Sequence, residues 1–127
     1  MNIAIEQEFI KKHIDKEYQE RLLLELGSAK RRTKALSRFS HNVEEILNKN
    51  ITKKTITNFS DIKETDQTIY VISWDENDGT QTSFADAIKY CEMAYMSVIL
   101  IGQSFALIKE ETEGGQSKMF YLKNDKM

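Results

Sequence analysis

The sequence predicts an α+β fold, and three observations carry that reading. Over residues 1–50 apolar residues recur at helical spacing, whereas over residues 55–124 short apolar runs alternate with turn-forming residues. The charge divides at nearly the same place: Met1–Ile56 holds 12 Lys or Arg against 8 Asp or Glu, a net of +4, and Thr57–Met127 holds 6 against 12, a net of −6. Neither part has enough apolar residues for a sizeable core of its own, so residues 1–127 are read as one domain: 1–50 mostly helical, 55–124 a sheet with one helix.

In the helical part, Phe9, Ile10, Ile14, Tyr18, Leu22 and Leu26 form an apolar stripe, and Glu8 with Lys12 and Glu17 with Arg21 supply i,i+4 pairs on the other side. A break is expected near Asp15. Gly27 reads as the residue just past a helix end, and Ser28 as the cap of the next helix, whose stripe runs through Leu36, Phe39, Val43, Ile46 and Leu47 and fades in NKNITKK. The result is a helical hairpin. With a second break near Ser40, Asn42 and Glu45 would form a capping box.

The sheet part opens with TITNFSDIKETDQ, an edge strand or a loop. TIYVISW, Thr68–Trp74, is rich in β-branched and aromatic residues and reads as a strand. The acidic loop DENDGTQT leads to Ser83 and Asp86, a helix-start signature for a stripe of Phe84, Ala87, Ile88, Cys91, Ala94 and Tyr95. SVILIG is apolar at every strand position and reads as a central strand. Gly102 and Gln103 suit a two-residue hairpin turn, SFALIKEE is its partner strand, and TEGGQS leads to a last strand, KMFYLK. The predicted order is α-α-(β)-β-α-β-β-β, an antiparallel meander at the end of a small sheet with helices packed on it.

A net charge of −2, 40% hydrophobic and 30% charged residues are those of a folded globular chain. One cysteine, Cys91, permits no intrachain disulfide and no CxxC pair, which fits a reducing compartment; Glu6 and Glu8 interrupt what a signal peptide would keep apolar. A cytoplasmic location is expected. MAYMSVILIG is half the length of a membrane-spanning helix, so no membrane insertion is expected. GxSxG, P-loop, GxGxxG and HExxH patterns are absent.

Two charged constellations compete as contact surfaces. Lys30, Lys34 and Arg38, flanked by Arg31 and His41, form a basic ridge at helical spacing opposite Leu36, Phe39 and Val43. Unpaired cations suit a phosphate backbone, but no aromatics interleave them and the chain is acidic, with pI ≈ 5.7. The acids gather where loops meet strands: Asp75, Glu76 and Asp78; Glu110, Glu111 and Glu113; Asp61, Glu64 and Asp66. Ending on one rim, they would attract a basic protein partner. Asp75–Asp86 fails the EF-hand pattern, because Gly79 falls fifth and the twelfth residue is Asp86 in place of Glu. Neither metal nor cofactor is expected. His13 and His41 are the only histidines, and acid–base chemistry would require them to share a cleft. Cys91 lies on an apolar stripe, where a buried inert thiol is expected. Trp74 and Tyr70 share a strand face with Ile72, which implies core packing.

The short acidic α+β domain rich in Lys, Ile and Asn, with no enzyme motif and with acidic loops around a small sheet, resembles the immunity proteins of bacterial polymorphic toxin systems, including contact-dependent growth inhibition. The resemblance implies a cytosolic, non-enzymatic inhibitor that binds a cognate toxin domain, often a nuclease, and blocks its active site or an exosite. Asp75, Glu76, Asp78, Glu110 and Glu111 would then meet a basic cleft, with Trp74 an anchor at the edge. The alternative is a small nucleic-acid-binding regulator using Lys30, Arg31, Lys34, Arg38 and His41.

Overall fold

A computed structural model describes residues 2–62, 67–112, 114 and 117–123. The order is α1 (Ile3–His13), α2 (Lys16–Leu26), α3 (Arg32–Arg38), α4 (Val43–Ile46), β1 (Thr52–Ile56), a short 3-10 turn at Phe59–Asp61, β2 (Thr68–Ile72), β3 (Gln81–Ser83), α5 (Phe84–Met93), β4 (Val98–Ile101), β5 (Phe105–Lys109) and β6 (Met119–Lys123). The fold is α+β. The six strands form one antiparallel sheet in the order β1-β6-β5-β4-β2-β3.

Strand alternation sends successive side chains to opposite faces, and here both faces are covered. Tyr70, Ile72, Ile99, Ala106, Ile108, Phe120 and Leu122 pack under α1–α4 with Phe9, Ile10, Leu22, Leu36, Phe39 and Leu47. Ile69, Val71, Val98, Leu100, Leu107 and Met119 pack on the other face with Ala87 and Cys91 of α5 and with Ile62. This double cover is why VILI, the β4 strand itself, is apolar throughout. Fully burying one such side chain contributes roughly 1.5–3 kcal/mol.

The expected helical hairpin is four segments. The break near Asp15 is real: Asp15 caps α2, accepting from the Glu17 amide at 3.0 Å. Ile14 there is extended and bridges Leu47, while Asp15 N donates to Ile46 O (2.8 Å) and Asn48 N to His13 O (2.8 Å). Gly27 is not a left-handed cap; its φ of −77° and ψ of −5° continue the helical turn. Ser28 does not cap α3 either. It accepts from Arg31 N in a turn, and α3 starts at Arg32 with no side-chain cap. The break near Ser40 is also present, but Asn42 is left-handed at φ 58° and its side chain caps nothing, so the capping box is not formed. Glu110 Oε2 accepts from Val43 N at 2.9 Å instead, a long-range substitute for the local cap.

The fading stretch NKNITKK holds the start of β1, an edge strand whose Lys53 and Lys54 are exposed and discourage further strand pairing. Gln81 and Thr82, read as loop, form with the helix cap Ser83 the short edge strand β3 on β2. The β4–β5 turn is shifted by one residue, because Gly102 N donates to Phe105 O and leaves Gln103 and Ser104 at its centre. Gln67 Oε1 accepts from both central amides, at 2.6 and 3.0 Å. A Cβ at Gly102 would lie 2.6 Å from that oxygen and 2.8 Å from the Phe105 ring, so glycine is required by space. Gly114, within TEGGQS, lies in a turn with φ +59°.

Candidate functional site

Because β2 and β5 both run antiparallel to β4, their C-terminal ends leave the sheet at one rim, where β4 begins. Residues 73–80, 94–97 and 110–112 therefore meet there. Ser97 joins them, accepting from Trp74 Nε1 at 2.9 Å and donating to Leu36 O at 3.2 Å. Thr112 N donates to Tyr95 O, and Glu111 N to Ser40 O. The acids of 75–78 and 110–111 thus share a rim as their loops implied. Asp61 is exposed in the 3-10 turn after β1; Glu64, Asp66 and Glu113 lie outside the described residues.

Sharing a rim does not leave all these carboxylates free for a partner. Asp78 turns inward, accepting from Arg32 Nε at 2.6 Å, Arg32 Nη2 at 3.0 Å and Ser73 N at 3.0 Å. Arg32 is 6% exposed and also forks onto Glu6, Nη1 to Oε1 at 2.8 Å and Nη2 to Oε2 at 2.6 Å, while Nη1 donates to Leu26 O at 2.9 Å. Tyr70 OH donates to Glu6 Oε2 at 2.6 Å and accepts from Asn2 N at 2.8 Å. Burial and the adjacent Glu6 carboxylate push the Tyr70 phenol up to about 12. This network ties α1, α3, β2 and the 73–80 loop together, and it is structural.

Glu110 is occupied by α4, as above, and Glu111 Oε2 lies 3.3 Å from His41 Nε2. Trp74 is half-buried under the helices and bound to Ser97, so it is no edge anchor. Asp75 is exposed but shapes its own loop, accepting from Ser73 Oγ (3.0 Å) and Asn77 N (2.9 Å). Partial burial works against its charged form, but the Asn77 amide and the Tyr90 and Ser73 hydroxyls outweigh that and hold the carboxyl below its usual range. With Asp75 and Asp78 so engaged, the loop offers no cation cage, and no group of three His, Cys, Asp or Glu suited to a metal occurs among the described residues. Glu76 is exposed.

At the end of α5 the structure exposes apolar surface that the helical stripe did not foretell. Tyr95 was expected on the buried face of α5, but the helix ends at Met93 and Ala94 is extended, so Tyr95 turns out and is 64% exposed. Met93 is 82% exposed. Tyr90, whose hydroxyl bonds Asp75, sits one helical turn before Met93, so the acidic loop meets α5 one turn before this exposed end. Glu92 is exposed on the same helix end.

The basic ridge is reduced. Arg38 is half-buried and forks onto Glu25, Nε to Oε1 and Nη2 to Oε2, each at 2.8 Å. Glu25 is 6% exposed, and the Arg38 hydrogen bonds hold its carboxyl low against the opposing effect of burial. The acid that pairs with the ridge comes from α2, 13 residues before Arg38. Lys30, Arg31 and Lys34 stay exposed.

His13 and His41 line different clefts with no lining residue in common. His13 is 5% exposed, and burial together with nearby Lys12 lowers it to about 4. Cys91 is fully buried, and burial pushes its thiol up to about 12. Comparison of the chain with protein-family models, curated proteins and solved structures finds no match.

The side chains that sequence reading missed were marked in one way. Glu6, His13, Glu25 and Arg32 occupy apolar-stripe positions, in the sets Glu6-Phe9-Ile10-His13, Leu22-Glu25-Leu26 and Arg32-Ala35-Leu36-Phe39. A charge on a buried stripe needs a buried partner.

Proposed function

We propose that this chain is a non-enzymatic binding protein that neutralises a basic toxin domain in the cytosol, as the immunity proteins it resembles do, with a nuclease domain the foremost candidate. The observation that carries the reading is the exposure of Met93 and Tyr95, with Glu92, at the end of α5, the helix whose Tyr90 bonds Asp75 of the acidic loop. Tyr and Met are enriched at the centres of protein interfaces, and surrounding carboxylates accelerate encounter with a basic surface. Asp78, Glu110 and Trp74 hold the loops of this rim through Arg32, the Val43 amide and Ser97, and Glu111 lies beside His41. Co-expression with the product of the neighbouring open reading frame tests it: a tight 1:1 complex and relief of toxicity are expected. A neighbour that is harmless when expressed alone, with no complex, would overturn it.

Lys30, Arg31 and Lys34 keep a second reading, nucleic-acid binding, because they stay solvent-exposed on and just before α3. That reading requires affinity for RNA or DNA to fall steeply with salt and the slope to flatten in Lys34→Glu. No binding at low salt removes it.

A further inference from the structure

Peroxides oxidise cysteine thiolates and methionine thioethers, and the fold treats its sulfurs very differently. Cys91 is fully buried, and burial pushes its thiol up to about 12, so little of the reactive thiolate is present. Met119 of β6 is 5% exposed, and Met96 is half-buried. Met93 is 82% exposed, more than any other large apolar side chain among the described residues. A thioether needs no deprotonation to react, so access decides its rate, and access singles out Met93.

Its position makes oxidation there a switch and not damage. Met93 is the last residue of α5, a helix held on the sheet by Ala87 and Cys91. Beyond it the chain is fixed by the Ala94 amide, which donates to Tyr90 O and Cys91 O, and by Lys109 Nζ, which donates to Ala94 O. None of these contacts uses the Met93 side chain. A sulfoxide at this point spares the core, but it turns an apolar contact near Tyr95 into a polar group that is costly to bury without a hydrogen-bond donor. We propose that Met93 is an oxidation site through which peroxide weakens partner binding while the fold stays intact. The regulation rests on the function proposed above, in which Met93 belongs to the contact surface. In the step itself Met93 Sδ takes one oxygen from hydrogen peroxide: an S–O bond forms as the O–O bond breaks, and the proton of the transferred hydroxyl passes to the departing hydroxide to give water. The sulfur is oxidised by two electrons and the peroxide is reduced by two.

The test treats the full chain alone with hydrogen peroxide, removes the excess with catalase, maps oxygen uptake by peptide mass spectrometry and then measures affinity for the product of the neighbouring open reading frame. Met93 should gain oxygen about tenfold faster than Met119, in keeping with their difference in exposure, with no change in circular dichroism. The oxidised chain should bind roughly five- to thirtyfold more weakly, the span of a contributing interface residue. Methionine sulfoxide reductases for both epimers should restore the affinity. In Met93→Leu, whatever its starting affinity, peroxide should no longer change binding. Equal oxidation of Met93 and Met119, loss of the fold on oxidation, unchanged affinity of the oxidised chain, or persistent sensitivity in Met93→Leu would each overturn the proposal and leave the binding function in place. An untreated chain that does not bind the neighbour's product would overturn that function, and the regulation with it.

Discussion

Arg32 of α3 and Glu6 of α1, 26 residues apart in sequence, meet as a doubly hydrogen-bonded pair at 2.8 and 2.6 Å in the buried layer above the sheet. With Asp78 and Leu26 O also accepting, each of the five guanidinium N–H groups has a partner. Burial alone would depress the guanidinium, but the hydrogen bonds to Glu6 and Asp78 outweigh it and raise its affinity for the proton. Such a site tolerates little change, since removing one member strands a buried charge at a cost of about 3–5 kcal/mol. Glu6→Ala and Arg32→Ala should each lower unfolding free energy by that amount in urea titrations. The double variant should cost well under the sum, because it strands fewer groups. Strict additivity would mean the network is not coupled.

The rim residues separate by role. Glu76→Lys should slow association with a basic partner severalfold and weaken its salt dependence, while changing stability by no more than about 0.5 kcal/mol. Asp78→Asn should do the reverse, costing about 3 kcal/mol of stability with little effect on the encounter rate. Tyr95→Ala should raise the dissociation constant by a hot-spot amount, about 2 kcal/mol or more. Surface plasmon resonance with the proposed basic partner, beside denaturant melts, reads all three. An Asp78 variant that stays stable yet binds slowly would return Asp78 to the interface.

His13 sets a pH window. Its ordinary value of 6.5 falls to about 4 in the fold, because burial disfavours the imidazolium and Lys12 adds repulsion. Between those values the unfolded chain holds a proton that the folded chain refuses, so stability is complete above pH 6.5 and is lost as pH falls toward 4. In full the loss is about 3 kcal/mol. His13→Gln should flatten stability against pH across that window. Glu25, whose carboxyl is held below 4.5 by Arg38, gives stability that is lost only at lower pH, so the two separate. An unchanged slope in His13→Gln would assign the window to other groups.

Cys91 should be inert in the native state. Fully buried on the sheet-facing side of α5 with its thiol pushed up to about 12, it should react with a disulfide reagent only as fast as the chain opens. Labelling rates that follow unfolding across urea would bear this out. Fast labelling at zero denaturant would show that α5 lifts locally.

The strands TIYVI, VILI, FALIK and MFYLK and the helices α1, α2 and α5 were legible because their signals are local. Period-two and period-3.6 burial act over a few residues, and Asp15 and Ser83 cap their helices through neighbours in sequence. The boundaries that misled were those decided from a distance: Glu110 displaces the Asn42 cap, and β6 draws Thr52–Ile56 out of the helical pattern into an edge strand. The candidate site was half legible. Topology brought the acidic loops of 75–78 and 110–111 to one rim, but charge alone does not say which carboxylate faces water.

By itself the sequence determined the class of the fold, the content of its core and the division between a basic helical part and an acidic sheet part, because hydrophobic periodicity is written in neighbouring residues. Only the tertiary structure decided what the charges do. It took Asp78 and Arg38 inward to partners 46 and 13 residues away and turned Tyr95 and Met93 outward by ending α5 at Met93. It also left His13 Nδ1 unpaired beside a cleft. The physical reason is desolvation: a charge or polar atom costs little in an extended chain, and its role is set by what the packed fold places next to it.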